Sequence, residues 1–471
     1  MLNLNDFFIL MKQELVLVVI LFVLLFIKVF SSNTNKESVL KLINFLLLVN
    51  IIIGFIFNKE GWLFADMYQT NSLLCFEKNI LNVGVWIISL QSYHWLKEHE
   101  HVEEFYMLML SSLLGMFYMI SSGNLLMFYL ALELSTIPIA ALANFDLNKR
   151  RSSEAAMKLI FSSAFSSGLL LLGISFIYGT TGTLNFVELS SLLNGSPLQI
   201  FSFVLIFAGF GFKISAVPFH LWTADVYEGS PIAITSYLSV ISKGATVFVF
   251  VSVLYTVFKS FDVLWYNMIF IISIMTMLIG NLFAIRQQNM KRFLAFSSIA
   301  QVGFILIGIS SYSIEGSTSI VYFILIYIFS NLAAFGVISL ISALTGKENI
   351  DDYKGLYKTN PALTWILTIA LFSLAGIPPT AGFFGKFFLL MAGAGTGNYI
   401  LITIAAINMV IALYYYLRVV KAMFMDENET PIEKITISIY PKISFIICIL
   451  GILVTGLYSN IYQYIYNLFM F

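Results

Sequence analysis

The stretch that decides the fold is FAGFGFKISAVPFHLWTADVYEGSP, Phe207 to Pro231. Its first half continues an apolar run that begins near Leu198, with Lys213 in the middle and Pro218 five residues further on. A lysine at the centre of a membrane helix costs about 2.5–3.5 kcal/mol on insertion scales. A proline there removes a backbone hydrogen bond. Freed backbone is tolerated at membrane depth only where it is buried in protein or lines a wet cavity. The stretch therefore reads as an interrupted membrane helix that carries an ionisable group.

Composition widens that reading to the whole chain. Of 471 residues, 59% are hydrophobic and 11% charged, against about 25% charged in soluble domains. This implies an all-α polytopic membrane protein that meets the lipid bilayer directly. The net charge of zero gives no reason to expect a nucleic-acid partner. Cys75 and Cys448 form no CxxC, and neither Gly209-x-Gly211 nor the glycines at 393, 395 and 397 make a dinucleotide fingerprint. No metal and no cofactor is expected in this chain, so any redox chemistry belongs to another subunit. The first apolar run, Leu15 to Phe30, lacks a small-residue cleavage site and reads as a first span, not a signal peptide.

Runs of about 20 apolar residues, enough to cross a bilayer, fall near 14–30, 39–57, 79–95, 104–121, 124–145, 153–178, 198–222, 231–257, 263–285, 292–311, 317–345, 361–391, 398–424 and 441–468. About fourteen spans are expected, with short polar connections. Eighteen lysines and arginines flank connections after odd-numbered spans, and four, Lys12, Lys59, Lys78 and Lys259, lie on the other side. By the positive-inside rule the odd connections face the cytoplasm and both termini face outward, in a bacterial inner (plasma) membrane.

Three basic residues remain outside that division: Lys213, Lys243 and Lys386, each deep in an apolar run. Glu133, in LLMFYLALELSTIPIAAL, is the acid at comparable depth. Lys213 precedes Pro218, and Lys386, in LFSLAGIPPTAGFFGKFFLL, follows Pro378 and Pro379. Broken helices in corresponding positions of two halves mark an inverted-repeat transporter. The two breaks lie five spans apart, an odd offset that reverses topology.

Burial disfavours the charged form of a lysine and a nearby carboxylate favours it, so a moving partner can make the ammonium hold or release a proton. Glu133 is the natural partner of Lys213, and Lys243 and Lys386 extend the pair into a lateral proton relay. His220 reads two ways, as a proton passage or as a cap on the broken helix. Glu154 and Lys158, four apart, form a helix ion pair, and Lys158 is a secondary candidate to balance Glu133. Asp225 and Glu228 read as ordinary connection acids. Ser297, Ser298 and Gln301 offer groups that hold water or pack helices.

These motifs, together with SSEAAMKLIFSSAFSSG, SVISKGAT, MKRFLAFSSIAQVGF and INMVIALYYYLRVVKAMF, occur in an order that resembles the antiporter-like subunits of respiratory complex I. The resemblance is closest to the subunit N branch and runs from about span 2 to the end. It implies fourteen helices with two inverted five-helix repeats, each with a broken helix. The segments would be 1–103 for helices 1–3, 104–258 and 259–424 for the repeats, and 425–471 for a cytoplasmic connection and the last helix. It implies a proton-translocating subunit of NADH:quinone oxidoreductase, with Glu133 as acidic partner, Lys213 as its lysine, Lys243 as central relay and Lys386 as terminal lysine. FMN, iron–sulfur clusters and quinone would sit in partner subunits. The membrane partners would be the antiporter-like subunit M and small subunits of the J, K and A type. Gln301 departs from the histidine frequent in relatives, and Ala224 from a frequent proline. An Mrp-type cation/proton antiporter subunit is the alternative.

Overall fold

A computed structural model describes residues 4–30, 35–56 and 59–470. Most of these residues lie in helices. Twelve helices among them are long and apolar enough to cross a membrane, which makes the chain a multi-pass membrane protein. They are Lys12–Phe30, Lys36–Phe55, Ser72–Gln91, Leu125–Ala143, Arg150–Thr181, Pro197–Ile214, Ile232–Thr256, Lys259–Ile285, Met290–Ser310, Ile314–Thr345, Tyr399–Phe424 and Ile439–Leu457. Val102–Ile120 is of similar length but carries Glu103 and Glu104 in its first turn. Pro361–Ala375 and Ala381–Gly395 are shorter apolar helices in sequence. Phe57, the end of the second expected span, lies outside the described residues.

Five of the described helices start on a side-chain cap. Asn35, Asn124, Asn185 and Asn289 each accept a backbone N–H from the following first turn, and Ser313 does the same for Ile314–Thr345. These satisfy donors that a helix start leaves open. The two 32-residue helices, Arg150–Thr181 and Ile314–Thr345, both end on a left-handed glycine, Gly182 and Gly346. Asn124 bridges Asn185, and Asn289 bridges Asn349, so each long helix is bracketed by paired asparagines.

Several expected boundaries move. The run near 198–222 is interrupted: Pro197–Ile214 ends, Ser215 adopts φ +64°, and Leu221–Gly229 follows. The run near 361–391 is two helices separated by Gly376 at φ +87°. Both breaks contain a cis proline peptide, Val217–Pro218 and Pro378–Pro379. The last run stops at Leu457, and a separate helix, Asn460–Met470, follows. A hairpin, Gly61–Leu63 with Tyr68–Thr70, lies in what is expected to be a short polar connection.

The chain forms two compact units. One comprises Met1–Trp86, Leu96–Ile214 and Ile241–Trp265; the other comprises Ile87–Trp95, Ser215–Val240 and Tyr266–Phe471. The first break thus coincides with a division between units.

Candidate functional site

In the first unit, Lys213 occupies the last turn of Pro197–Ile214. Its Nζ donates to Thr136 Oγ1 at 2.5 Å and Ser163 Oγ at 3.3 Å. Thr136 lies one turn after Glu133 on Leu125–Ala143, and its hydroxyl donates in turn to Leu132 O at 2.7 Å. Glu133 acts on Lys213 electrostatically, while its Oε1 is buried with no hydrogen-bond partner. The expected pair is therefore in one neighbourhood, with hydroxyls making the hydrogen bonds to the lysine. A hydroxyl both donates and accepts, so these partners can serve Lys213 as ammonium and as amine.

Lys243, in the same unit, is buried at the first residue of its helical segment, directly after a π-helical stretch, Tyr237–Ser242. Such π segments occur often at functional sites because they break the regular ladder.

In the second unit, Lys386 is 1% exposed. Its Nζ donates to the carbonyls of Leu374 at 2.7 Å and Ala375 at 3.3 Å, the last residues before the second break. A helix end leaves carbonyls open, and the lysine closes two of them from the helix that follows. It also lies 4.7 Å from the centre of the Phe304 ring. An ammonium has three N–H groups and an amine two, so the carbonyl bonds can persist after a proton leaves. Gln301 Nε2 donates to the same Leu374 carbonyl at 3.1 Å and to Tyr416 OH at 3.3 Å. Lys386, Gln301, Tyr327, Ser330 and Ser373 line a small cavity. Gly382 allows this closure, since a Cβ there would fall 1.7 Å from Ser373 O.

The remaining expected residues fall as follows. His220 occupies the position before Leu221–Gly229, but its side chain makes no capping bond and its Nδ1 is buried without a partner. Lys158 pairs with Glu154 at 2.9 Å, with 43% and 61% of the side chains exposed. Asp225 and Glu228 are more than solvated acids: Arg292 Nη1 holds both, at 2.6 and 2.9 Å. Ser297 shares a hydrogen bond with the Tyr416 hydroxyl, and Ser298 donates to Ala295 O at 2.8 Å.

Lys78 requires a correction. The charge distribution puts it at an outward-facing connection, yet it is buried and paired with Glu14 at 2.5 Å. The helix that carries it starts at Ser72, seven residues before the expected apolar run, because the adjacent charges of Glu77 and Lys78 depress the hydropathy of its first turns. An acid and a lysine each near the same end of neighbouring odd-numbered spans were the available signal. Tyr327 and Tyr416 carry no distinguishing signal in the sequence, because tyrosines are spread among the apolar runs.

Buried lysines on interrupted helices in a largely helical multi-pass chain define an antiporter-like membrane subunit. A family model described as NADH:quinone oxidoreductase/Mrp antiporter, TM, matches residues 122–412. NADH-quinone oxidoreductase subunit N of Phocaeicola vulgatus is 46% identical over 457 residues, 96% of this chain and 97% of that protein. The subunit N of Pelagibacter ubique is 38% identical, covering 86% and 87%. A chain of respiratory complex I from Thermus thermophilus with bound aureothin superposes with a TM-score of 0.79 at 25% identity, covering 94% and 98%. A chain of the Mrp complex from Dietzia sp. gives 0.86 at 18% identity, covering 97% and 96%, a likeness of fold alone. The chain belongs to the NADH:quinone oxidoreductase/Mrp antiporter family of membrane subunits, in its subunit N branch.

Proposed function

We propose that this chain is the proton-translocating membrane subunit of an NADH:quinone oxidoreductase, a translocase whose redox centres lie in other subunits. The observation that carries the reading is the set of Lys213, Lys243 and Lys386 on interrupted helices, in a subunit N relative matched along nearly its full length. Lys213 takes a proton beside Glu133 and gives it up when that carboxylate is neutralised or withdrawn. Lys243 and Lys386 carry the transfer onward as relay and terminal site. His220 and Lys158 are secondary sites, for passage and charge balance.

The chain crosses the membrane fourteen times and contains two inverted repeats, 104–258 and 259–424, between 1–103 and 425–471. The fourteen crossings need Val102–Ile120, and the pair Pro361–Ala375 with Ala381–Gly395 as one span, in addition to the twelve long helices. Supporting the repeats are two 32-residue helices, each closed by glycine and bracketed by paired asparagines, and each followed by a helix break. Both termini face outward from a bacterial inner membrane. The partners are the M-type subunit and the small J, K and A-type subunits; FMN, iron–sulfur clusters and quinone belong to partner chains.

The test is Lys213→Ala in the assembled complex, expected to lower the proton-to-electron ratio; full assembly with an unchanged ratio overturns the relay. The family model, whose description also names the Mrp antiporter, supports a second reading, an ion-gradient antiporter. Purification separates the two, because co-isolation with small membrane subunits and no flavin or iron–sulfur module would favour the second.

A further inference from the structure

The N-terminal helices hold buried polar groups that the lysine series does not use. Glu14 and Lys78, both 1% exposed, pair through Glu14 Oε1. The same oxygen accepts from Tyr68 OH at 3.1 Å, and Lys78 also donates to Tyr68 OH at 3.2 Å. Glu14 Oε2, by contrast, is buried with no hydrogen-bond partner. Beside it, Gln13 Nε2 donates to Asn79 Oδ1 at 2.7 Å, leaving Asn79 Nδ2 a buried donor without a partner. Gly54 makes room for this contact, since a Cβ there would lie 2.0 Å from Asn79 Oδ1.

Asn50 precedes Gly54 by four residues and Asn82 follows Asn79 by three, so each lies on the same helix face one turn further in. Both are 0% exposed, and both amide atoms of each lack a partner. An unsatisfied buried polar group costs about 1–3 kcal/mol, so six together are not left bare. The six comprise three acceptors, Glu14 Oε2 and two Oδ1, and three donors, all Nδ2. That balance suits a ligand that both donates and accepts. A cation would meet the donors and an anion the acceptors, whereas buried water takes two to four polar partners of either kind.

We propose that these residues form a hydrated proton-exchange site, in which water bridges Glu14 Oε2 to Asn79, Asn82 and Asn50. When Oε2 takes a proton, an O–H bond of the adjacent protonated water breaks as the O–H bond on Oε2 forms, the electron pair stays on that water, and the reverse step returns the proton to it. Lys78 and Tyr68 hold Oε1, so Oε2 is the exchanging atom. The titratable groups facing Glu14 are Lys12 on its own helix, Tyr68 on the hairpin, Lys78 on Ser72–Gln91 and Tyr118 on Val102–Ile120, with Cys75 and Glu77 beside Lys78. None of its hydrogen bonds involves Lys213, Lys243 or Lys386.

A map of the intact membrane assembly at water-resolving quality tests the hydration without any variant. Ordered water bridging Glu14 Oε2, Asn79 and Asn82 is expected; amides satisfied by protein groups, with no water between them, overturn the proposal. Infrared difference spectra between acid and alkaline pH, on the same assembly, test the exchange. A protonated-carboxyl band should be lost in Glu14→Gln and shifted in Asn82→Leu, and a pH-dependent band set identical in wild type and Glu14→Gln overturns it.

Discussion

Lys213 and Lys386 place the same side chain beside the same kind of helix break, yet they hold it differently. Lys213 ends the helix before its break and is bound by hydroxyls, with an acid acting from the neighbouring helix. Lys386 lies in the helix after its break and is bound by backbone carbonyls that the break leaves open. Nine residues after the capping asparagine, the first region has Glu133 and the second has Ser298. The first site can therefore be tuned by an opposite charge. The second is part of the structural closure of its own helix, and its recorded partners are carbonyls and an aromatic ring. Control and architecture are separated in one region and merged in the other.

The largest effect is expected at Lys386. Lys386→Ala should lower the proton-to-electron ratio and also destabilise the chain. The Leu374 carbonyl keeps Gln301 as a donor, but the Ala375 carbonyl loses its lysine, at about 1–3 kcal/mol for a buried unsatisfied group. Proton counting in vesicles together with thermal unfolding of the purified assembly checks both parts. A stable assembly with a lowered ratio would break the merged role.

At Lys213 the two effects should come apart. Lys213→Met is expected to lower the ratio about as much, with a smaller stability loss than Lys386→Ala, because Thr136 keeps its bond to Leu132 O and no helix-end carbonyl loses its donor. The same two measurements, made side by side with Lys386→Ala, test the comparison directly; equal stability losses would erase it.

How far the sequence carries can be judged from these two regions. The breaks were legible because proline and glycine interrupt long apolar runs, and the lysines because they had no place in the distribution of surface charge. The groups that hold them were not. Gln301 and Leu374 are 73 residues apart, and Lys213 reaches Ser163 across 50; no periodicity within a helix reports such pairings. Lys78 was hidden for a different reason: the polar residues that bury with it also masked the start of its helix. The Arg292 clamp on Asp225 and Glu228 was invisible because connection acids look alike whether solvated or paired.

A finer test concerns the hydroxyls. Thr136→Val keeps the shape of the side chain and removes one partner of Lys213, so a loss of about 0.5–1.5 kcal/mol is expected. The proton-to-electron ratio should fall less than in Lys213→Met, since Ser163 still accepts from the lysine. Stopped-flow proton release in reconstituted vesicles is the measurement. A ratio as low as that of Lys213→Met would show that the threonine, not the acid, governs the first site.

The smallest effect is expected at Lys158, and it asks whether the first region has a reserve cation. Its pair with Glu154 is exposed on both sides, and exposed pairs one turn apart on a helix are worth about 0.3–0.5 kcal/mol. Lys158→Gln should therefore change thermal stability by no more than that, and the proton-to-electron ratio by less than Thr136→Val. Added salt should shrink the stability difference further, because it screens an exposed pair and leaves a buried one largely untouched. If the ratio instead falls as far as in Lys213→Met while stability stays level, Lys158 balances Glu133 in turnover. The first region would then be a three-charge site, and the contrast with the carbonyl-bound Lys386 would be wider than the static distances convey.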